Sequence, residues 1–263
     1  MSFDLRKSVT KVEMEKVTYE IMEDFGDGYW WYRARREIMV SVIERYVPCG
    51  ARIIDFGSGT GVIAALLRGH GYQVRAADIS PLALDGCYRR GLEVIDLRSN
   101  RLPKQDAECV ILGDVLEHVE DDIALLTAIH AAVKPGGSLL VTVPAYEFLW
   151  SGEDHVSRHL RRYRLSQLIA VLEKGGFEVT WASYFNALLL PAIGATLVLK
   201  RIFKPRAMYR SDLTPLSDKL NSILYAIFRT EALILRHVTL PFGASIIALA
   251  IPRSQCTVRA DMA

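Results

Sequence analysis

The sequence is short of the features that mark secreted, metal-clipped or nucleic-acid-binding chains. Its four cysteines, at 49, 87, 109 and 256, include no C-x-x-C pair, which argues against a disulfide framework or a zinc knuckle and for reduced thiols inside a cell. Charge of one sign is missing as well. With 32 basic and 30 acidic residues the net charge is +2, so no global field favours an acidic partner and electrostatic recognition must be local. The opening Met-Ser-Phe-Asp-Leu-Arg-Lys lacks the apolar core of a signal peptide, which places the protein in the cytoplasm. The longest uncharged run takes in residues 182–199, which meet Lys200, Arg201, Lys204 and Arg206. Tyr184, Asn186, Pro191 and Gly194 interrupt it, which favours a buried or capping segment over peripheral contact of 182–206 with the inner membrane. A spanning helix is the weakest of the three readings.

What is present is a high apolar fraction, 51% of 263 residues, enough for one decorated α/β domain with a sizeable core. Its organising stretch is residues 52–61, Arg-Ile-Ile-Asp-Phe-Gly-Ser-Gly-Thr-Gly. An apolar strand that breaks into glycines at 57, 59 and 61 lets backbone approach a ligand closely, because glycine has no Cβ in the way. The dinucleotide fingerprint needs its third glycine one position later, where Val62 stands, and the carboxylate of Asp55 would repel a pyrophosphate. No Gly-Lys-Ser or Gly-Lys-Thr follows, so a P-loop is excluded too. A cofactor bearing positive charge suits this loop.

Ile-Asp-Phe-Gly-Ser-Gly-Thr-Gly resembles the first motif of the class I S-adenosylmethionine-dependent methyltransferases. The resemblance implies that Asp55, Gly57, Ser58, Gly59 and Gly61 cradle the methionine part of S-adenosylmethionine, which leaves as S-adenosylhomocysteine. A strand over 72–77 then ends in Asp78, and Ser80-Pro81 opens a helix in the usual cap and first-turn order. A carboxylate about 20 residues past a glycine turn is placed to accept from both ribose hydroxyls; a plain strand-end turn is the alternative for Asp78. The family places an acidic residue by the adenine amino group, here Asp96 after a third strand at 92–95, with Ile79 and Leu97 beside these carboxylates in the cofactor set. Residues 114–119, Asp-Val-Leu-Glu-His-Val, follow a fourth strand at 109–113 and resemble an element of the small-molecule branch. The sequence after them reads as a helix over 121–133, a Lys-Pro-Gly-Gly turn over 134–137 and a fifth strand at 138–143. Strand and helix alternate, which gives a parallel sheet with helices on both faces and ligands at the carboxyl ends of the strands, where Asp55, Asp78, Asp96 and Asp114 all stand.

Upstream, residues 11–24 suit a short amphipathic helix. A second helix runs from Tyr29 to Tyr46 and opens with an aromatic cluster, which reads either as a clamp on the core or as a lid over the cofactor. Its Trp-Trp-Tyr-Arg-Ala-Arg-Arg segment resembles one in a bacterial branch of the family, which implies Trp31, Tyr32 or Arg36 near the acceptor. Downstream come a helix over 165–174 and a sixth strand at 177–183. The seventh strand, antiparallel in the family, is expected only at 245–251. Between them lies an apolar helical insertion with Thr214-Pro215 as its cap. The tail after Arg253 reads as disordered. The resemblance thus implies a Rossmann-like seven-stranded sheet with its last strand antiparallel. The expected units are a helical lid over 1–50, a core over 51–187 and 243–253, and a cap over 188–242.

The segment after strand five, residues 144–163, leaves the sheet at its ligand edge and carries Asp154, His155, Arg158, His159, Arg162 and Tyr163. His155 and His159 have the spacing of a helical zinc pair. The glutamate of H-E-x-x-H is missing and arginines surround the second histidine, so no metal is assigned. For methyl transfer to a hydroxyl the protein must orient the acceptor and remove its proton. His155 beside Asp154 is the first choice of base, with His118 or His159 as substitutes, and each could instead close a loop hydrogen bond. Arg158 and Arg162, with His159 and Tyr163, are assigned to the acceptor, the arginines as a clamp for an anionic group. The expected activity is methylation of a small-molecule or lipid-linked acceptor, at oxygen. The alternatives are a silent cofactor-fold binder and an N- or C-methyltransferase of a natural product. Nucleic acid is disfavoured, because no Asn/Asp-Pro-Pro-Tyr follows strand four and no basic stripe exists.

Overall fold

The computed structural model describes residues 28–205 and 209–253. The amphipathic segment expected at 11–24, Arg206 and the tail after Arg253 lie outside them. Seven strands form one sheet in the order β3-β2-β1-β4-β5-β7-β6. In chain order they are β1 (Arg52–Phe56), β2 (Gln73–Asp78), β3 (Glu93–Asp96), β4 (Ala107–Gly113), β5 (Val133–Pro144), β6 (Phe177–Phe185) and β7 (Ser245–Pro252). Strands β1 to β5 pair in parallel, while β7 runs antiparallel between β5 and β6. The inner strands read as unbroken apolar runs because both of their faces are covered. Cys109, Val110, Ile111 and Leu112 of β4 are all fully buried. One apolar layer, with Phe56, Leu126 and Phe177, lies on one face of the sheet, and another, with Met39, Ile53 and Phe228, on the other.

The chain order reverses between β1 and β4, and such a switch point opens a crevice at the carboxyl ends of the strands. Helix α1 (Trp30–Tyr46) enters there. Its Ile38, Met39, Val42 and Ile43 are buried, so most of the helix belongs to the core and only its first turns face the crevice. Helices α2 (Val62–Gly69), α3 (Pro81–Arg89), α4 (Asp122–Ala132) and α6 (Leu165–Lys174) cover the sheet, and a short α5 (Gly152–Val156) follows β5.

Two readings of the local chain change. The Lys-Pro-Gly-Gly segment is part of β5 rather than a turn before it: the register moves from Ala107 opposite Val133 to Cys109 opposite Ser138. Gly136 supplies the positive φ, +77°, that this bulge requires. The insertion comprises α7 (Leu190–Phe203) and α8 (Asp218–Ile234). Helix α8 is capped by Ser217, whose hydroxyl accepts from the Leu220 amide at 3.4 Å, and not by Thr214-Pro215. Ser217 followed by Asp218 offers both an acceptor for a free amide and a carboxylate at the positive end of the helix.

The insertion is tied back at both ends. Buried Glu231 of α8 accepts from the amides of Ala187 and Leu188, each at 2.8 Å. The Trp30 amide donates to Asn221 Oδ1 at 2.8 Å, and Arg33 lies over the Tyr225 ring at 3.9 Å, which fastens α8 along α1. Helix α7 turns Ile193 and Leu197 toward the crevice and leaves Val198, Leu199, Ile202 and Phe203 exposed. Among the described residues no helix is long and apolar enough to cross a membrane.

Candidate active site

At the carboxyl edge of the sheet lies a cavity of about 600 Å³. Its floor is the glycine loop and the ends of β1, β2 and β4, one wall is the start of α1, and α7 and α8 roof it. A smaller hollow of about 420 Å³ between Tyr46, Lys134 and Ile251 sits at the opposite edge, away from the strand-end carboxylates.

Gly57, Gly59 and Gly61 have φ of +70°, +54° and +80°. A Cβ at Gly57 would stand 2.7 Å from Val115 Cγ2, and one at Gly61 2.6 Å from Leu92 Cδ1 and 2.8 Å from Cys87 Sγ. Gly61→Ala therefore combines left-handed strain with overpacking. It is expected to cost about 2 to 4 kcal/mol, read as a lower urea midpoint.

The loop is drawn onto β2 by Asp78, which accepts from the Gly59 amide at 2.9 Å and the Ser80 amide at 2.8 Å. Each carboxylate oxygen keeps a second lone pair, so Asp78 can still accept from two vicinal hydroxyls. Burial raises its pKa from the ordinary value, against the backbone amides that bond it. Asp55 is buried, and one of its oxygens has no partner. Burial pushes it up to about 7, against the Arg35 guanidinium and with help from Asp78. An orphaned buried carboxylate in a cradle that admits no Cβ fits a ligand that brings its own cation.

Asp114, just past β4, sits at φ +58°. Arg35 of α1 pairs with its Oδ2 at 2.8 Å and donates to Thr142 Oγ1 at 2.8 Å, while Thr142 donates to Asp114 Oδ1 at 2.9 Å. Arg35 and Thr142 thus hold the strand-end carboxylate, and sequence reading passed over both. Ile79, Leu97, Ser58, Trp31 and Tyr32 line the cavity, as does Arg36. Asp96 does not. Both its oxygens are gripped by the Arg98 fork, at 2.9 and 2.7 Å, which lowers its pKa.

The histidines fall out differently from their sequence order. His155 is exposed, with its ring 4.8 Å from Tyr209 and 6.0 Å from Trp150. Neighbours on a helix point about 100° apart. Asp154 is turned inward, its Oδ2 accepting from the Ser151 amide at 2.7 Å, so His155 is turned out. Asp154 pairs instead with His159, Nδ1 to Oδ1 at 2.7 Å. The chain folds back through Arg158 at φ +55°, and the His159 amide bonds the Asp154 carbonyl at 2.9 Å.

Arg162 caps the same carboxylate with two bonds, 2.8 and 2.7 Å. Burial works to raise the Asp154 pKa but is outweighed by His159 and Arg162, so it lies below the usual range. Arg162 lines the cavity with its charge already matched, and exposed Arg158 lies outside the lining. Tyr163 is buried away from the cavity, its hydroxyl donating to Asp122 Oδ2 at 3.0 Å. Arg162 and Tyr163 are thus each held by a buried carboxylate, Asp154 and Asp122.

His118 stands edge to face with His159, ring centroids 4.7 Å apart. Its Nδ1 has no partner, and burial, with His159 beside it, pulls its pKa down to about 3. Next to it Glu117 is fully buried with neither oxygen bonded, and burial, with Asp114 nearby, raises its pKa well above normal.

The sequence model of the methyltransferase domain matches residues 30–181. The chain belongs to this family. It is a class I S-adenosylmethionine-dependent methyltransferase domain. A ubiquinone biosynthesis O-methyltransferase of Xylella fastidiosa is 30% identical over an alignment of 158 residues that covers 52% of this chain and 64% of that protein. The match thus takes in just under two thirds of that relative's length. Among solved structures, Haemonchus contortus phosphoethanolamine N-methyltransferase 2 in complex with S-adenosylmethionine superposes with a TM-score of 0.57 at 16% identity, covering 97% of this chain and 61% of that one. The [4+2]-cyclase SpnF gives 0.56 at 18% identity, covering 95% and 94%. These likenesses establish the fold. The cofactor of the methyltransferase family is S-adenosylmethionine, and the cradle, Asp55 and Asp78 fit it.

Proposed function

We propose that the protein methylates a hydroxyl oxygen on a largely apolar acceptor, small or lipid-linked, with His159 as the base. The observation that carries this reading is the 2.7 Å bond between His159 Nδ1 and Asp154 inside the cavity. An ionised carboxylate only accepts, so the proton of neutral His159 sits on Nδ1 and the lone pair on Nε2. Bound S-adenosylmethionine supplies an electrophilic methyl group on a sulfonium that leaves as a neutral thioether. The chain's own part is to hold the acceptor oxygen in line and to take its proton at Nε2 as the O–C bond forms. Asp154 then faces an imidazolium, which it stabilises.

The apolar roof supports the acceptor class. Leu189, Ile193 and Leu197 from α7 and its approach, with Leu213 and Leu224, give the cavity a hydrocarbon side. The Xylella relative named as an O-methyltransferase supports oxygen as the target. The test is a panel of phenols with and without alkyl tails, assayed for S-adenosylhomocysteine and for the methylated product by mass spectrometry. Methoxy products are expected, with kcat/KM rising along the alkyl series. Turnover confined to amines or carbon acids, or none with any phenol, would overturn the reading.

A further inference from the structure

The pairing of His155 with His159 gives no metal site, since the two rings face different ways. A different trio comes together. One ligand atom each from Glu117, His118 and His159 lies within 4.8 Å of the others, the trio that meets this test among the described residues. Three features set it apart from a chance meeting of polar side chains. Both Glu117 oxygens and His118 Nδ1 are buried without any hydrogen-bond partner, a costly state unless something else completes them.

The His159 imidazole is also held by its far nitrogen, as ligating histidines usually are. His159 uses Nδ1 on Asp154, while His118 keeps its buried Nδ1 without a partner. The nearby arginines do not oppose a cation. Arg162 is matched by Asp154, Arg161 by Asp122, and Arg35 by Asp114.

We propose that Glu117, His118 and His159 bind one divalent transition-metal ion of the zinc class, and that its binding switches methyl transfer off by occupying Nε2 of His159. Two nitrogens and one oxygen suit a borderline ion and not magnesium or calcium, which require oxygen shells. Bonds of about 2.0 to 2.1 Å in a tetrahedral site set ligands roughly 3.4 Å apart. The trio must close by an ångström or so, and no hydrogen bond restrains Glu117 or the Nδ1 side of His118 against that. The cavity supplies the fourth, open position. The switching half rests on His159 being the base; the binding half does not.

The experiment titrates the metal-stripped full-length chain with Co²⁺, followed by visible absorption. Expected are one Co²⁺ per chain with the intense bands of a four-coordinate site, displacement by Zn²⁺ but not Mg²⁺, and loss of methyl transfer over the same Zn²⁺ range. S-adenosylmethionine affinity by calorimetry should change less than twofold. Glu117→Gln and His118→Gln should each weaken Co²⁺ at least tenfold while keeping a cooperative thermal transition. The proposal falls if no stoichiometric band forms, if the band is unchanged in both variants, or if turnover persists at saturating Zn²⁺. A chain that turns over no acceptor while Co²⁺ binds as described refutes the switch and the base together, and leaves the site itself supported.

Discussion

Replacing His159 with glutamine should lower kcat for methyl transfer by about 10² to 10⁴-fold, the span that a positioned general base contributes, while S-adenosylmethionine binds within twofold of normal. The reason is geometric. His159 lines the cavity, and its Nδ1 is fixed by a carboxylate that is itself fixed by Arg162 and the Ser151 amide. Glutamine keeps volume and hydrogen bonding but has no basic nitrogen. Its residual rate should rise with pH as the acceptor hydroxyl ionises on its own, a signature that a purely structural role for His159 would not produce. His155→Gln, by contrast, should stay within twofold of wild type, because that ring is outside the cavity. Asp154→Asn should lose nearly as much kcat as His159→Gln, and the double variant little more than either, since the two act as one unit. Asp154→Asn should also be less stable, because Arg162, 11% exposed, would lose the charge it faces. Rate measurements under saturating cofactor at three pH values settle the matter. A His155 variant that loses as much as the His159 variant would sink the assignment.

The contrast between these two histidines shows where the sequence stops being readable. The glycine loop and Asp78 were legible because their constraint lies in the backbone. Three glycines at positive φ and a carboxylate at a strand end follow from residue type and spacing alone. The succession of parallel strands and helices was legible from their alternation, while the last antiparallel strand at 245–251, beyond a long insertion, was implied by the family resemblance. Asp154 and its neighbours were not, because their partners depend on which way a one-turn helix points. That direction is set by the left-handed turn at Arg158, a residue type that gives no warning of it. Arg35 stands among Arg33 and Arg36, and only the helix phase separates the buried guanidinium on Asp114 from the one over Tyr225. Glu117 was hidden by its motif. Between Leu116 and Val119 it reads as a family mark, and nothing in the letters says that both oxygens end up dry and unbonded.

Cofactor affinity should strengthen as pH rises from 5 to 7 and level off just above, with up to about a hundredfold change in Kd, and Asp55→Asn should abolish the slope. The carboxyl of Asp55 in the cofactor-free protein is pushed up to about 7 by burial. Facing it are Arg35 from α1, which favours the ionised form, Asp78 from the end of β2, which opposes it, the Ala64 amide in α2, and the Cys87 thiol in α3. A ligand that brings a positive charge to the unpartnered oxygen stabilises the carboxylate, so below pH 7 binding must expel a proton. Each unit of acidification then costs up to a factor of ten. Above about pH 8 the cofactor's own amine begins to lose its charge, so the window to measure is 5 to 7.5. Calorimetry in two buffers of different ionisation enthalpy should show close to one proton released at pH 6 and far less at pH 7.5.

Stability of the cofactor-free chain should move the opposite way. The folded state binds this proton more tightly than the unfolded chain does, so between pH 4 and 7 the folded form carries more protons. Its stability falls as pH rises through that window, by about 4 kcal/mol at most. Asp55→Asn is neutral throughout. It should therefore match or exceed the wild type in urea midpoint above pH 7 while binding S-adenosylmethionine more weakly. This opposition of stability and affinity at one side chain follows from a buried carboxylate whose counter-charge arrives with the ligand. A wild-type Kd that is flat from pH 5 to 7.5 would mean that Asp55 is already ionised before the cofactor binds.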